Sequence, residues 1–131
     1  MAKKILIVDD DPDISDALTM ILESKGFNTV KAGNGLEGLE KIELEKPDLL
    51  ILDLLMPRMD GFTVFKKLHE PRWSKYSNMP ILILTSVRED ASRRRYELET
   101  GKELSADDYL EKPFSPDILL NKVTKLLAEN K

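Results

Sequence analysis

The sequence predicts an α/β fold: a doubly wound, five-stranded parallel sheet with five helices. Strand and helix patterns alternate along the whole chain without an internal repeat or a linker, and alternating βα units form parallel sheets covered by helices on both faces. Several strand patterns are short apolar runs, typical of strands buried on both faces. Because one domain usually has ~100–200 residues, we expect residues 1–131 to form a single domain.

The first half of the chain contains three βα units. Their strands are predicted over Lys4–Val8, Asn28–Ala32 and Asp48–Asp53. The first helix opens at Pro12, is capped by Asp11 and ends at Gly26. Its apolar residues have the spacing of a buried helical stripe: Ile14, Ala17, Leu18, Ile21 and Leu22. The next two helices contain Leu36, Leu39 and Ile42, and then Phe62, Phe65 and Leu68.

The second half supplies two more units. A polar loop over Glu70–Asn78 leads to a strand at Ile81–Thr85, and a polar helix is predicted from Glu89 to roughly Thr100. A short strand near Asp108–Leu110 precedes the last helix. That helix starts at Ser115-Pro116, since proline suits the first helical position. Its buried stripe is Leu119, Val123, Leu126 and Leu127.

The composition excludes several classes of function. The absence of cysteine excludes disulfides, thiolate metal sites and cysteine nucleophiles. The single histidine, His69, cannot form a multi-histidine metal centre and is interpreted as an exposed polar residue. A net charge of −4 argues against nucleic acid as a partner. No apolar run is long enough for a signal peptide or a membrane span, so we expect a soluble cytoplasmic protein without membrane contact.

Polar residues stand at the ends of four predicted strands: Asp9, Asp10, Asp53, Thr85 and Lys112. In a parallel sheet the carboxyl ends share one edge, where open α/β sheets bind their ligands. Clustered carboxylates repel one another unless a cation intervenes, and Mg²⁺ is held by such carboxylates together with water and phosphate. We therefore predict a magnesium site and phosphoryl chemistry with Asp53 as the nucleophile. Asp107 and Asp108 precede their strand and are predicted to form a solvated turn at the opposite edge.

Four stretches of the sequence carry a resemblance: KILIVDDDPDI, PDLLILDLLMPRMDGF, MPILILTS and DDYLEKPF. The pattern D-x-x-x-P-x-x-D-G, formed by Asp53, Pro57, Asp60 and Gly61, occurs in order with the acidic pair, the threonine and the Lys-Pro dipeptide. From Lys4 to the last helix the chain resembles the receiver domains of bacterial two-component response regulators, the CheY-like superfamily. This resemblance implies the flavodoxin-like (βα)5 fold.

The resemblance also implies a metal site and a phosphoacceptor. Asp53 would accept the phosphoryl group and contribute to Mg²⁺ binding. Asp10 would bind the ion directly and Asp9 through water, and the backbone carbonyl of Leu55 would be a further ligand.

Other matching residues would respond to phosphorylation. Thr85 would hold a phosphoryl oxygen, Lys112 would pair with the phosphoryl group, and Tyr109 would swing inward. The Lys112–Pro113 bond is expected to be cis, as in the family. The face formed by the fourth helix, the fifth strand and the fifth helix would then change shape.

The implied reaction is phosphoryl transfer to Asp53 from the phosphohistidine of a histidine kinase or phosphotransfer protein. The receiver would catalyse this step and the later hydrolysis on itself, without being a conventional enzyme. A downstream effector protein would bind the phosphorylated form, and phosphorylation would allow a homodimer.

The sequence departs from the family pattern at two places. Lys102–Ser105 resembles an insertion, and Trp73 and Tyr76 lie in the long polar loop, where they either pack onto the sheet edge or form a docking surface.

Several alternatives remain open on the sequence alone. The leading interpretation is a stand-alone receiver without an output domain, and a related one is a receiver excised from a longer hybrid kinase or transcription factor. A binding module that keeps the fold without phosphorylation is a third. An aspartyl phosphatase of the haloacid-dehalogenase type needs a second Asp two residues after the nucleophile, and that position is Leu55.

Apolar residues at Leu55 and Val87 predict a long-lived aspartyl phosphate, because they flank the predicted phosphoryl site where many relatives carry polar groups. Apolar flanks hinder the hydrolytic water. We expect Leu55→Asn combined with Val87→Glu to accelerate dephosphorylation, measured as decay of the phosphorylated mass. An unchanged or slower decay contradicts this prediction.

Overall fold

A computed structural model describes residues 2–54, 61–85 and 107–129. The strands are β1 (Lys4–Val8), β2 (Asn28–Ala32), β3 (Leu49–Asp53), β4 (Ile81–Thr85) and β5 (Asp108–Glu111). The helices are α1 (Pro12–Glu23), α2 (Gly35–Glu45), α3 (Gly61–Leu68), a 3-10 helix (Pro71–Tyr76) and the C-terminal helix (Pro116–Glu129). The helix predicted over residues 89–100 and the insertion predicted at 102–105 lie outside the described residues.

The five strands form one parallel sheet in the order β2-β1-β3-β4-β5, which confirms the predicted doubly wound fold. The chain starts near the middle of the sheet and reverses its direction of winding between β1 and β3. These two strands are neighbours, with Val8 paired to Leu52 at their carboxyl ends. Asp9 and Asp53, the residues that come directly after this last pair, are therefore placed side by side.

Each face of the sheet packs against its own apolar core. Leu6 and Val8 of β1 face one core, which α2, α3 and Trp73 complete. Ile5 and Ile7 face the other core, which α1 and the C-terminal helix complete. This alternation along a strand covered on both sides explains why the strands read as continuous apolar runs. No helix in the described part of the chain is long and apolar enough to cross a membrane.

The ends of α1 follow the predicted capping. Asp11 is the N-cap, and its side chain accepts the N–H of Asp13. Gly26, with φ +87°, closes the other end: its N–H donates to Glu23 O, and Phe27 N–H donates to Leu22 O. A left-handed residue at this position favours glycine, as the sequence indicated.

The buried face of α1 is rotated from the predicted stripe. Leu18 and Leu22 are buried as predicted, but Ala17 is exposed and Ser15 is buried. Residues 15, 18 and 22 are spaced i, i+3 and i+7, so they lie on one face of the helix. Ala17 was therefore wrongly assigned to the core, because a small apolar residue at the border of a stripe does not indicate which side it faces.

The predicted polar loop over residues 70–78 contains the 3-10 helix. Its two aromatic residues pack against the protein, which was the first of the two alternatives; the second was a docking surface. Trp73 is buried within the core on the α2 and α3 side, and Tyr76 packs against that core. The two rings lie 5.6 Å apart. Trp73 therefore contributes to the core.

Two aspartates hold the amino edge of the sheet. Asp48 precedes β3 and bonds to Lys4 of β1 in both directions: its N–H donates to Lys4 O, and its carboxylate accepts Lys4 N–H at 2.8 Å. Asp107 precedes β5 and forms the equivalent two hydrogen bonds with Ile81 of β4. Its N–H donates to Ile81 O, and its carboxylate accepts the Ile81 N–H at 2.7 Å. Each carboxylate thus satisfies a backbone donor at the start of the neighbouring strand.

The second acidic pair lies at the predicted edge but is more than a solvated turn. Asp108 accepts the N–H of Tyr109, and its carboxylate lies 3.1 Å from Lys122 Nζ on the C-terminal helix. Partial burial alone would raise the pKa of Asp108, but these two partners outweigh it and hold the pKa below its ordinary value. Asp107 and Asp108 are therefore partnered structural residues.

We expect Asp107→Ala to lower the free energy of unfolding by about 1–3 kcal/mol, because it leaves the N–H of Ile81, a buried residue, without its acceptor. Urea titration measures the difference. Asp107→Asn is the control, since its amide oxygen can still accept, and it should retain most of the stability. Equal losses in the two variants would contradict this explanation.

Candidate functional site

Four of the predicted side chains meet at the carboxyl edge of the sheet. One carboxylate oxygen each from Asp9, Asp10 and Asp53 lies within 4.8 Å of the others. Lys112, which follows β5, reaches the same place from the far side of β4. Within residues 2–54, 61–85 and 107–129, no other group of three His, Asp or Glu side chains is close enough to hold a metal ion.

Asp9 is the most constrained member of the cluster. Its N–H donates to Ala32 O at the end of β2, which fixes the backbone, and its Oδ1 accepts the N–H of Asp11. Its Oδ2 is buried without a hydrogen-bond partner in the described part of the chain. Burial raises the pKa of Asp9 to about 6, and the nearby charge of Asp53 adds to this effect, although the Asp11 N–H opposes it. This environment therefore disfavours the ionised form of Asp9.

Lys112 pairs with both buried carboxylates. Its Nζ lies 3.3 Å from Asp53 Oδ1 and 3.6 Å from Asp9 Oδ2. Its backbone N–H donates to Thr85 O at 2.7 Å, which ties the segment after β5 to the end of β4. The Lys112–Pro113 bond is cis, as expected.

The next predicted site residues are described by their position in the fold and not by contacts with the aspartate cluster. Thr85 is half-buried at the end of β4, one residue beyond the pairing of Asp53 with Leu84. Tyr109 is half-buried on β5 and packs against the core on the α2 and α3 side. Leu55 and Val87 lie outside the described residues, so the carbonyl ligand and the apolar flanks stay predictions. His69 is exposed, as predicted, and its Nδ1 lies 2.8 Å from Phe65 O.

The residues at the carboxyl edge fit a hard divalent cation. Mg²⁺ holds oxygen ligands at ~2.0–2.1 Å, so ligands on opposite sides of the ion are ~4.2 Å apart. The three carboxylate oxygens lie within 4.8 Å of one another and need only a small contraction to reach one ion. The buried Oδ2 of Asp9, which accepts no hydrogen bond within the described residues, offers a free lone pair to such an ion. Asp10, which is exposed, lies on the solvent side.

Sequence reasoning missed the cleft beside this cluster. A cavity of about 190 Å³ opens between α1 and α2, and Ser15, Lys31 and Glu37 line it together with Asp9 and Asp10. Lys31 Nζ pairs with Asp16 at 2.6 Å. The position of Lys31 beside the site depends on β2 lying next to β1 in the sheet. The amino-acid pattern of β2 does not predict that strand order.

The family model for the response regulator receiver domain matches residues 5–124 of this chain. The chain belongs to the response regulator receiver family. The receiver is 40% identical over 130 residues to the alkaline phosphatase synthesis transcriptional regulatory protein PhoP of Bacillus subtilis, a match that covers 99% of this chain and 50% of PhoP. It is also 40% identical over 131 residues to the response regulator MprA of Mycobacterium ulcerans, covering 100% of this chain and 53% of MprA.

A solved structure shares the fold along the whole chain. The signal receiver domain of a histidine kinase from Syntrophus aciditrophicus superposes with a TM-score of 0.83 at 34% identity, covering 99% of this chain and 93% of that one. The receiver spans about half the length of the curated relatives it matches. The transcriptional role in the name of PhoP belongs to that whole protein, so the absence of a nucleic-acid partner stays a prediction for these 131 residues.

In metal-free buffer we expect Asp9→Asn to raise the free energy of unfolding near pH 8 by on the order of 2 kcal/mol. The folded-state pKa of about 6 lies above the ordinary value of 3.8, so the wild type loses stability as the pH rises through this window. The advantage of the variant should vanish once the pH falls below 3.8, where both states are protonated. Urea titrations across the window test the slope.

The control for this prediction is Asp10→Asn, which removes an exposed carboxylate from the same cluster and should change stability little. Added Mg²⁺ should stabilise the wild type and leave Asp9→Asn nearly unchanged. A wild type that gains stability over Asp9→Asn as the pH rises in metal-free buffer would contradict the assigned burial effect.

Proposed function

We propose that the receiver accepts a phosphoryl group on Asp53 in a magnesium-dependent reaction and signals through the resulting conformational change. The observation that carries this proposal is the position of Lys112 Nζ, 3.3 Å from Asp53 Oδ1, beside a buried Asp9 oxygen that has no hydrogen-bond partner among the described residues. Such a site contains the fixed positive charge of the Lys112 ammonium group and favours binding of a dissociable metal cation. Both positive charges are needed because a phosphoryl group carries up to two negative charges.

In the proposed reaction an oxygen of Asp53 attacks the phosphorus of a phosphohistidine. The new P–O bond forms as the P–N bond breaks, and the imidazole leaves with the electron pair of that bond. Lys112 would pair with an oxygen of the transferred group, and the Thr85 hydroxyl would hold another. Asp9, Asp10 and Asp53, with the Leu55 carbonyl, would hold Mg²⁺, which neutralises charge on the phosphoryl oxygens when it is bound.

Phosphorylation would redistribute the contacts of Lys112. In the structure its ammonium group is shared between Asp53 and Asp9, and the added charge on Asp53 would draw it and Thr85 inward. Because Lys112 N–H is bonded to Thr85 O, the segment after β5 and the end of β4 would move together. Tyr109 would follow, and the face formed by β5, the C-terminal helix and the helix predicted over residues 89–100 would change shape.

The proposed partners follow from this reaction. A histidine kinase or phosphotransfer protein would supply the phosphoryl group in the cytoplasm, and an effector protein or a second receiver would bind the altered face. We propose that residues 1–131 act as one receiver domain.

We expect wild type incubated with acetyl phosphate or phosphoramidate to gain one phosphoryl group, only in the presence of Mg²⁺. Intact-mass spectrometry measures the adduct, and phosphoramidate tests a P–N donor like phosphohistidine. Asp53→Asn should gain none. Asp48→Asn is the matched control because Asp48 precedes the same strand at the opposite edge, and it should react like wild type.

The possible results separate the alternatives. No adduct on wild type under any condition would overturn the proposal in favour of a binding module that is independent of phosphorylation. Continuous release of phosphate without accumulation of the adduct would contradict the predicted long lifetime of the aspartyl phosphate.

A further inference from the structure

The first turn of α3 rests directly on the end of β3. Gly61 begins this helix, and its N–H donates to Leu54 O at 2.9 Å. The pairing of β3 with β1 ends at Leu52, and its pairing with β4 ends at Asp53. The peptide that follows Asp53 therefore lies beyond the strand ladder, where Gly61 contacts it.

Gly61 is buried so closely that it leaves no room for a side chain. A β-carbon there would lie 2.1 Å from Asp53 O, 2.6 Å from Leu54 Cα and 2.9 Å from Asp53 C. Real β-carbons essentially never approach other atoms closer than 3.0 Å. All three neighbours are backbone atoms, so no side-chain rotation can relieve the contact. A side chain at position 61 must move either α3 or the Asp53–Leu54 peptide.

We propose that Gly61 is a positioning residue for phosphoryl acceptance. Its bare Cα lets α3 pack against the Asp53–Leu54 peptide, and this contact sets the Asp53 carboxylate relative to Asp9 and Lys112. The inference rests on the proposed function and adds to it a residue of the D-x-x-x-P-x-x-D-G pattern that touches none of the reacting atoms.

The arrangement of the site makes this contact consequential. Asp9 is held by Ala32 O of β2, and Lys112 is held by Thr85 O of β4. Both are therefore fixed by hydrogen bonds to neighbouring strands, whereas the peptide after Asp53 is held by the N–H of Gly61. A displacement of that peptide changes the distances from Asp53 to both partners together. Misplacement of a reacting group by ~1 Å can cost about 100-fold in rate.

We expect Gly61→Ala to lose about 10- to 100-fold in the rate of Mg²⁺-dependent phosphorylation by acetyl phosphate and to require more Mg²⁺ for half-maximal rate. Gly33→Ala is the matched control, because Gly33 is exposed in the turn after β2 and its added β-carbon would meet no atom of the described residues within 4 Å. Its rate and Mg²⁺ requirement should match those of wild type.

A second control separates positioning from loss of stability. Leu68→Ala truncates a buried side chain at the other end of α3, so it should lower the melting temperature while leaving the rate unchanged well below that temperature. Gly61→Ala should show the reduced rate under the same conditions. A folded Gly61→Ala with the rate and Mg²⁺ requirement of wild type would overturn the inference.

If Gly61→Ala does not fold, the inference is tested on the wild type by measuring amide hydrogen exchange with and without Mg²⁺. Mg²⁺ should slow exchange of the Gly61 amide, whose partner is Leu54 O, and leave that of His69, at the far end of α3, unchanged. Equal effects at both amides, or none, would overturn the role of Gly61. A wild type that gains no phosphoryl group would refute the proposed function itself, whereas equal reaction of wild type and Gly61→Ala refutes only the inference.

Discussion

The structure depends on the placement of two buried carboxylates side by side. Asp9 follows β1 and Asp53 ends the neighbouring strand β3, and each is almost completely buried. Two like charges ~4 Å apart repel by about 4 kcal/mol at an effective dielectric constant of 20. The ammonium group of Lys112 offsets part of this repulsion, but Asp9 Oδ2 still lacks a hydrogen bond in the described part of the chain. The site is therefore unfavourable until another cation enters.

The rest of the fold holds these groups together against their repulsion. Central parallel strands with a core on each face cannot separate without exposing both cores. Lys112 is tied to Thr85 through the backbone, and Asp9 is tied to Ala32. The apolar packing thus compensates for the loss of stability caused by the charged residues at the carboxyl edge. Functional sites commonly destabilise a fold in this way.

The sequence predicted most of the site because the relevant residues stand at strand ends. Asp9, Asp53 and Lys112 needed only the assumption of a parallel sheet to be placed together. The close approach of Gly61 to the Asp53 backbone could not be predicted, because it depends on how α3 packs against β3. The exposure of Ala17 was missed for a related reason, since periodicity gives the spacing of a helical stripe but not its exact rotation against the sheet.

The two edges of the sheet show why residue type alone does not identify a functional group. At the amino edge, Asp48 and Asp107 accept backbone N–H groups of neighbouring strands, and Asp108 pairs with Lys122. Each has a partner that remains in place, so these carboxylates stabilise the fold. At the carboxyl edge, Asp9 is more deeply buried, but its Oδ2 accepts no hydrogen bond from the residues that the structure describes. Burial without a complete set of partners distinguishes a carboxylate placed for a ligand from one placed for the fold.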